Sequence, residues 1–284
     1  MYHLFSRDVR TMRFLLLLGL LTLSSTTLAA RLPVAVSVLP QKTFVEMLGK
    51  ETLEVQVMVR KGFDPASYQP TPRQLAALAR VRLYVLAGVP FEASWLPRFR
   101  TINQKMALLD MREGLDLIPL ESGESDPHVW TDPRLVKQHA SRLRDALVHL
   151  DPANRERYET GYRHLSSKLE KLDAELEARL APLKGKAFLV YHPAWSYFAR
   201  RYGLRQLSVE QEGKEPNARS LARLIDQARE LGIRTLIVQP QHSGATAQVV
   251  ARALNARMVE IDPLAEDYFT MMRRLAEVLL EEAS

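Results

Sequence analysis

Short apolar runs alternate with amphipathic stretches along the chain, and the same order recurs in its second half. Leu32–Leu39 alternates and is rich in β-branched residues, the pattern of a strand. Gln41–Leu48 reads as a helix and Leu53–Val59 as a second strand. A polar, proline-rich loop, Lys61–Pro70, follows. Thr71-Pro72 then opens a helix to about Ala79, with threonine at the cap and proline in the first turn. Leu83–Ala87 is a third strand ending at Gly88, and Met106–Leu109 a short fourth.

Thr131-Asp132-Pro133 starts another helix that turns Leu135, Val136, Leu143, Leu147 and Leu150 inward. The longest helical pattern runs from about Ala153 to Leu180. Its apolar positions are Tyr158, Tyr162, Leu165, Leu169, Leu172, Leu176 and Leu180, and its other faces are solvated Glu, Lys and Arg. At about 1.5 Å per residue it spans roughly 40 Å, more than one lobe needs. In the second half, Ala187–Tyr191, Leu207–Val209, Thr235–Val238 and Met258–Ile261 read as strands. Trp195–Tyr202, Asn217–Leu231, Ala245–Leu254 and Asp267–Glu282 read as helices. The expected fold is α/β, with two lobes that each hold a parallel sheet flanked by helices. One long rigid helix joins them and a ligand cleft lies between. The expected boundaries are an N-terminal lobe over 30–150, a linking helix over 151–184 and a C-terminal lobe over 185–284.

The start of the chain adds a destination. Arg13 precedes the apolar core Phe14–Leu23, too short for a bilayer span and right for a secretory signal, and Thr27-Leu28-Ala29 fits a small-x-small cleavage site. Residues 1–29 are expected to be a signal peptide, with 1–11 an upstream extension before Met12. Cysteine is absent, which excludes disulfides, thiolate metal sites and a lipid-modified cysteine. A periplasmic protein without a lipid anchor is the expectation. The 284 residues carry a net charge of +6, but the basic residues are scattered, so nucleic acid is not an expected partner. Such a charge also gives a cation no long-range help, so any metal site must rest on local ligands.

Three turns carry such ligands: Asp126-Pro127-His128, Tyr191-His192-Pro193 and Ile261-Asp262-Pro263. His192 and Asp262 directly follow predicted strands, at the carboxyl edge where open parallel sheets bind ligands. Two imidazoles and a carboxylate suit a borderline-soft divalent cation, zinc before manganese. His139, His149 and His164 lie on helices amid charges and read as surface residues. Trp130, Trp195 and Tyr68 read as cleft walls. No H-E-x-x-H pattern accompanies the candidate ligands, and an enzyme is not expected.

Together these segments resemble the periplasmic zinc- and manganese-binding proteins of ABC importers, the ZnuA/TroA-like family. The resemblance covers the mature chain. It rests on Gly62–Tyr68, Thr71-Pro72, Ala87–Leu96, Asp126–Pro133, His192–Phe198, Tyr202–Leu204, Gln239–Gln241 and Ile261–Leu264. It implies capture of a divalent metal, most simply Zn2+ with Mn2+ second, and delivery to an ABC permease in the inner membrane, by a monomer. Of the family's four metal-holding positions, His128, His192 and Asp262 match three, and Ala66 stands where the first has histidine. The loop Leu120–Ser125 is short and lacks the family's histidine-rich run. A water is the first substitute for the missing donor and His242, at the same sheet edge, the second; Glu210 and Glu212 are further choices. The alternative is a diverged relative that binds another ligand or serves as an interaction module.

Overall fold

A computed structural model describes residues 30–211, 213–242 and 244–283, so the expected signal peptide and Glu212 lie outside the described residues. The first sheet is built from β1 (Leu32–Val36), β2 (Leu53–Val57), β3 (Leu83–Leu86) and β4 (Ala107–Asp110), in the order β2-β1-β3-β4. The second uses β5 (Ala187–Val190), β6 (Arg205–Ser208), β7 (Thr235–Val238) and β8 (Arg257–Glu260), in the order β6-β5-β7-β8. Every pairing is parallel, and the two orders are the same pattern repeated. The strands read as nearly continuous apolar runs because helices cover both faces.

The N-lobe helices are α1 (Leu39–Gly49), α2 (Pro72–Leu78) and α3 (Pro90–Ile102). Thr71 caps α2 by accepting from the Gln74 amide at 3.3 Å, while Gln74 Oε1 accepts from the Thr71 amide at 2.9 Å. α4 (Pro133–Leu150) starts on Asp132, whose carboxylate accepts from the Arg134 amide at 2.8 Å. α5 (Arg155–Leu180), 26 residues long, is the expected spine. It packs on α1 and α4 of the first half and on α9 (Tyr268–Glu282) of the second. Gly161 makes the α1 contact possible: a Cβ there would stand 2.3 Å from the Leu48 carbonyl oxygen. The remaining helices, α6 (Ser196–Tyr202), α7 (Ala218–Glu230) and α8 (Ala245–Leu254), flank the second sheet.

One continuous apolar core runs through both halves, from Val34 and Phe44 through Trp130 and Leu169 to Trp195 and Tyr268. A smaller core lies on the far face of the second sheet, around Leu189, Leu236 and Val250. Polar bonds tie the halves as well. The Trp130 indole donates to the Pro263 carbonyl at 2.9 Å, and the Tyr197 hydroxyl donates to the Asp126 carbonyl at 2.8 Å. On α5, Asp173 joins Arg134 of α4 to Arg201 and Tyr202 of α6. Extensive burial plus directional bonds across the junction leaves little freedom for a wide hinge.

Two expectations needed correction. α3 was not anticipated, because Pro90 and Pro97 punctuate its sequence; Pro90 occupies the permitted first turn and Pro97 is carried inside the helix. His139 is not on the surface: it is 1% exposed, since α4 is covered and His139 lies on its buried face with Leu135, Val136 and Leu143.

Candidate metal centre

The cleft opens at the carboxyl ends of both sheets. β5 and β7 are neighbours whose chain connections run to opposite sides, so their ends form the switch point of the second sheet. His192 lies two residues past the end of β5 and His242 four past the end of β7. The backbone fixes this edge: the Tyr191 amide donates to the Ile237 carbonyl at 2.8 Å. His128 comes from the opposite wall, in a turn that Asp126 builds. The Asp126 carboxylate accepts from the His128 amide at 2.9 Å and from the His128 ring Nδ1 at 2.7 Å.

The two rings meet. His128 Nε2 lies 3.4 Å from His192 Nε2, with centroids 5.2 Å apart and planes at 75°. Each ring's other nitrogen faces a buried carboxylate: Nδ1 of His128 on Asp126, and Nδ1 of His192 on Glu210 at 2.8 Å. A carboxylate assigns the proton to Nδ1 and turns the Nε2 lone pair outward. Two outward lone pairs at 3.4 Å repel unless a proton or a metal cation sits between them. Two nitrogens bound to one tetrahedral zinc at about 2.0–2.1 Å stand about 3.3–3.4 Å apart, which is the separation present.

His242 lies flat against His192, centroids 4.9 Å apart and planes at 6°. Its Nδ1 is 3.8 Å from the same Glu210 oxygen, and its Nε2 is 3.9 Å from Asp64 Oδ1 on the opposite wall. Among the described residues, His192, Glu210 and His242 form the three-donor cluster whose ligand atoms all lie within 4.8 Å of one another. Asp262 stands to one side. Its carboxylate accepts from the Leu264 amide at 2.9 Å and lies 3.4 Å from the Gln241 side-chain nitrogen. Ala66 lines the cleft and offers no donor. The cavity, about 480 Å³, is walled by Pro65, Val89, Trp130 and Leu264 as well as the histidines.

The charges around the pair are arranged for a cation. Burial works to raise the Asp126 carboxyl, but the charge and hydrogen bonds of His128 outweigh it and hold it below the usual range. Burial pushes Glu210 the same way, and the His192 hydrogen bond with the charges of His192, His242 and His128 again prevails. Both acids are therefore ionised when positive charge, from an imidazolium or from a bound cation, stands at the rings. Burial, helped by His192, holds His242 below its ordinary value, so its nitrogen is a free base at neutral pH. Burial raises Asp262.

Asp126 escaped the sequence reading as a supporting group, and Asp64 escaped it entirely. Asp126 had a signal: an Asp two residues before His, with Pro between, forms an Asx turn that returns the carboxylate to the imidazole. Glu210 was weighed as a substitute ligand; the structure gives its nearer oxygen to the His192 ring.

Two parallel-sheet lobes about a long helix, with imidazoles facing across the cleft, define the class of solute-binding proteins that hold a metal ion between lobes. The family model described as zinc-uptake complex component A, periplasmic, matches residues 34–282, and the chain belongs to that family, the ZnuA/TroA-like substrate-binding proteins of ABC importers. The chain is 25% identical over 252 residues to the high-affinity zinc uptake system protein ZnuA of Bacillus subtilis, covering 82% of this chain and 79% of that one. It is 26% identical over 271 residues to a putative metal-binding protein of Chlamydia trachomatis, covering 93% and 96%. A crystal structure of ZnuA superposes with a TM-score of 0.86 at 37% identity, covering 89% of this chain and all of that one. A ZnuA deletion mutant with zinc bound gives 0.85 at 36%, covering 89% and 98%. The chain is thus a metal-binding solute-binding protein of a zinc import system.

Proposed function

We propose that this chain captures one Zn2+ ion between His128 and His192 in the periplasm and delivers it, as a monomer, to an ABC permease in the inner membrane. The observation that carries this reading is the 3.4 Å approach of the two Nε2 atoms, each backed by a carboxylate on its Nδ1. Nitrogen donors favour zinc over manganese. The similar ZnuA structure with zinc bound supports the same ion. His242, stacked on His192, is the third imidazole. A carboxylate completes the set and offsets the cation's charge; Asp262 is the one suggested by the sequence. The cargo is held by neutral imidazoles, so acid releases it. The division into lobes at 30–150 and 185–284 about the 151–184 segment places one histidine of the facing pair in each.

The test is a zinc titration against a competing chelator at neutral pH, with His192→Ala beside the unaltered protein. The variant should lose zinc binding. Equal affinity in the two proteins would end the reading. Ala66 favours the second reading, a diverged relative with another ligand; protein purified without chelator and free of zinc would support it.

A further inference from the structure

We propose that Asp64, rather than Asp262, is the carboxylate donor of the metal set, and that it replaces at the N-lobe wall the donor that Ala66 lacks. This rests on the zinc reading above. Asp64 lies in the same loop, two residues before Ala66, and both line the cleft. The loop is held from three sides. The Phe91 amide donates to the Pro65 carbonyl at 3.2 Å, buried Tyr68 donates its hydroxyl to Gln74 at 2.8 Å, and the Asp64 carboxylate itself accepts from the Ala66 amide at 2.8 Å. Its direction is therefore set before any ligand arrives.

That direction is toward His242. Asp64 Oδ1 and His242 Nε2 face each other across the cleft at 3.9 Å, too far for a hydrogen bond. The gap exceeds by about half an ångström the 3.3–3.4 Å, roughly, that separates two donors of one tetrahedral zinc. His192 and His242 lie parallel, with their Nδ1 atoms toward one Glu210 oxygen and their Nε2 atoms toward the N-lobe wall. His192 Nε2 meets His128 there, and His242 Nε2 meets Asp64. The resulting set is two donors from each wall: Asp64 and His128 from one, His192 and His242 from the other. A small approach of the lobes, with the His242 ring turning out of its stack on His192 to aim Nε2 at the same point, closes both pairs on one ion. Asp262 accepts in the same way, from the Leu264 amide two residues on, but it faces the Gln241 side chain with both oxygens and has no imidazole within 4.0 Å among the described residues. On this account it holds Gln241 at the cleft.

Asparagine at position 64 separates the two roles of the residue, because its carbonyl still accepts from the Ala66 amide while the anionic donor is gone. The mature protein is titrated with zinc against a chelator as unaltered chain, Asp64→Asn, Asp262→Asn and His192→Ala, and each is loaded with Co2+ for its visible spectrum. Asp64→Asn should weaken zinc by at least about tenfold, the floor set by losses at residues that merely support a ligand. It should also change the intensity of the Co2+ bands, which report ligand type and number. Adding Ala66→His to Asp64→Asn should restore binding, since the loop regains a donor. Asp64→Asn that binds zinc within about threefold of the unaltered chain, with the same Co2+ spectrum, overturns the proposal. That result with His192→Ala still inactive leaves the zinc reading standing; loss of neither would remove both.

Discussion

Glu210→Gln isolates what the carboxylate behind His192 contributes. The side chain keeps its length and can still accept from His192 Nδ1, so the ring should stay in place and only the negative charge is lost. Glu210 Oε2 is 2.8 Å from Nδ1. Adding roughly 2.2 Å across the ring and about 2.0 Å for the Zn–N bond puts the charge about 7 Å from the ion. At an effective dielectric of about 20, a unit charge at that distance is worth about 2.4 kcal/mol, or about 50-fold in affinity. That lies within the 10- to 100-fold, roughly, lost when supporting groups of metal-bound histidines are changed. The assay is competitive zinc titration at pH 7.5, with thermal unfolding of the metal-free protein as the control for folding. A zinc dissociation constant within about threefold of the unaltered chain would refute the argument that ionised carboxylates behind the rings hold the cation.

Gly161→Ala should destabilise the protein although alanine is the better helix former by about 1 kcal/mol. The new Cβ meets backbone, 2.3 Å from the Leu48 oxygen and 2.6 Å from its Cα, and overpacking costs about 1–3 kcal/mol before the helices shift, so urea unfolding should show a net loss. Asp173→Ala leaves Arg201, whose side chain is 11% exposed, without its closest carboxylate. Breaking a buried pair costs about 3–5 kcal/mol, and Glu177 at 2.9 Å from Arg201 places this one near the lower end. Stability should also fall in acid through His139, which burial and the nearby Arg142 hold down from 6.5 to about 3. Its folded value lies below the unfolded one, so its contribution is intact above about pH 6.5 and is lost as the pH drops toward 3. Between pH 7.5 and 5 the loss is about 2 kcal/mol, and His139→Leu should flatten that slope in urea unfolding of metal-free protein.

The fold was legible wherever one residue pattern answered one environment. The strands announced themselves as apolar β-branched runs, and each was placed to within three residues at either end. The spine was legible for the opposite reason: α5 has one apolar stripe and many charges, which no short helix needs. α3 was hidden by Pro97, a residue that reads as a breaker when its neighbours in space are unknown. His139 was hidden because charges beside it in sequence, such as Lys137 and Arg142, say nothing of which face a covered helix turns inward. The convergence of His128, His192 and His242 was foreshadowed because each lies in a turn near a strand end or opposite one. Of the groups that support or complement them, Asp126 had a local signal in its turn, 2.7 Å from the ring two residues on, but Glu210 and Asp64 take their meaning from distances of 2.8 and 3.9 Å across the fold, which no local pattern encodes. The absence of a histidine at Ala66 was legible, and the residue facing the gap was not.

Anomalous diffraction at the zinc edge from crystals of the zinc-loaded protein locates the ion between the facing imidazoles or away from them. One strong peak is expected within about 2.0–2.1 Å of both His128 Nε2 and His192 Nε2. A loaded protein whose zinc lies elsewhere, with the two imidazoles still facing each other across an empty gap, would contradict capture between them.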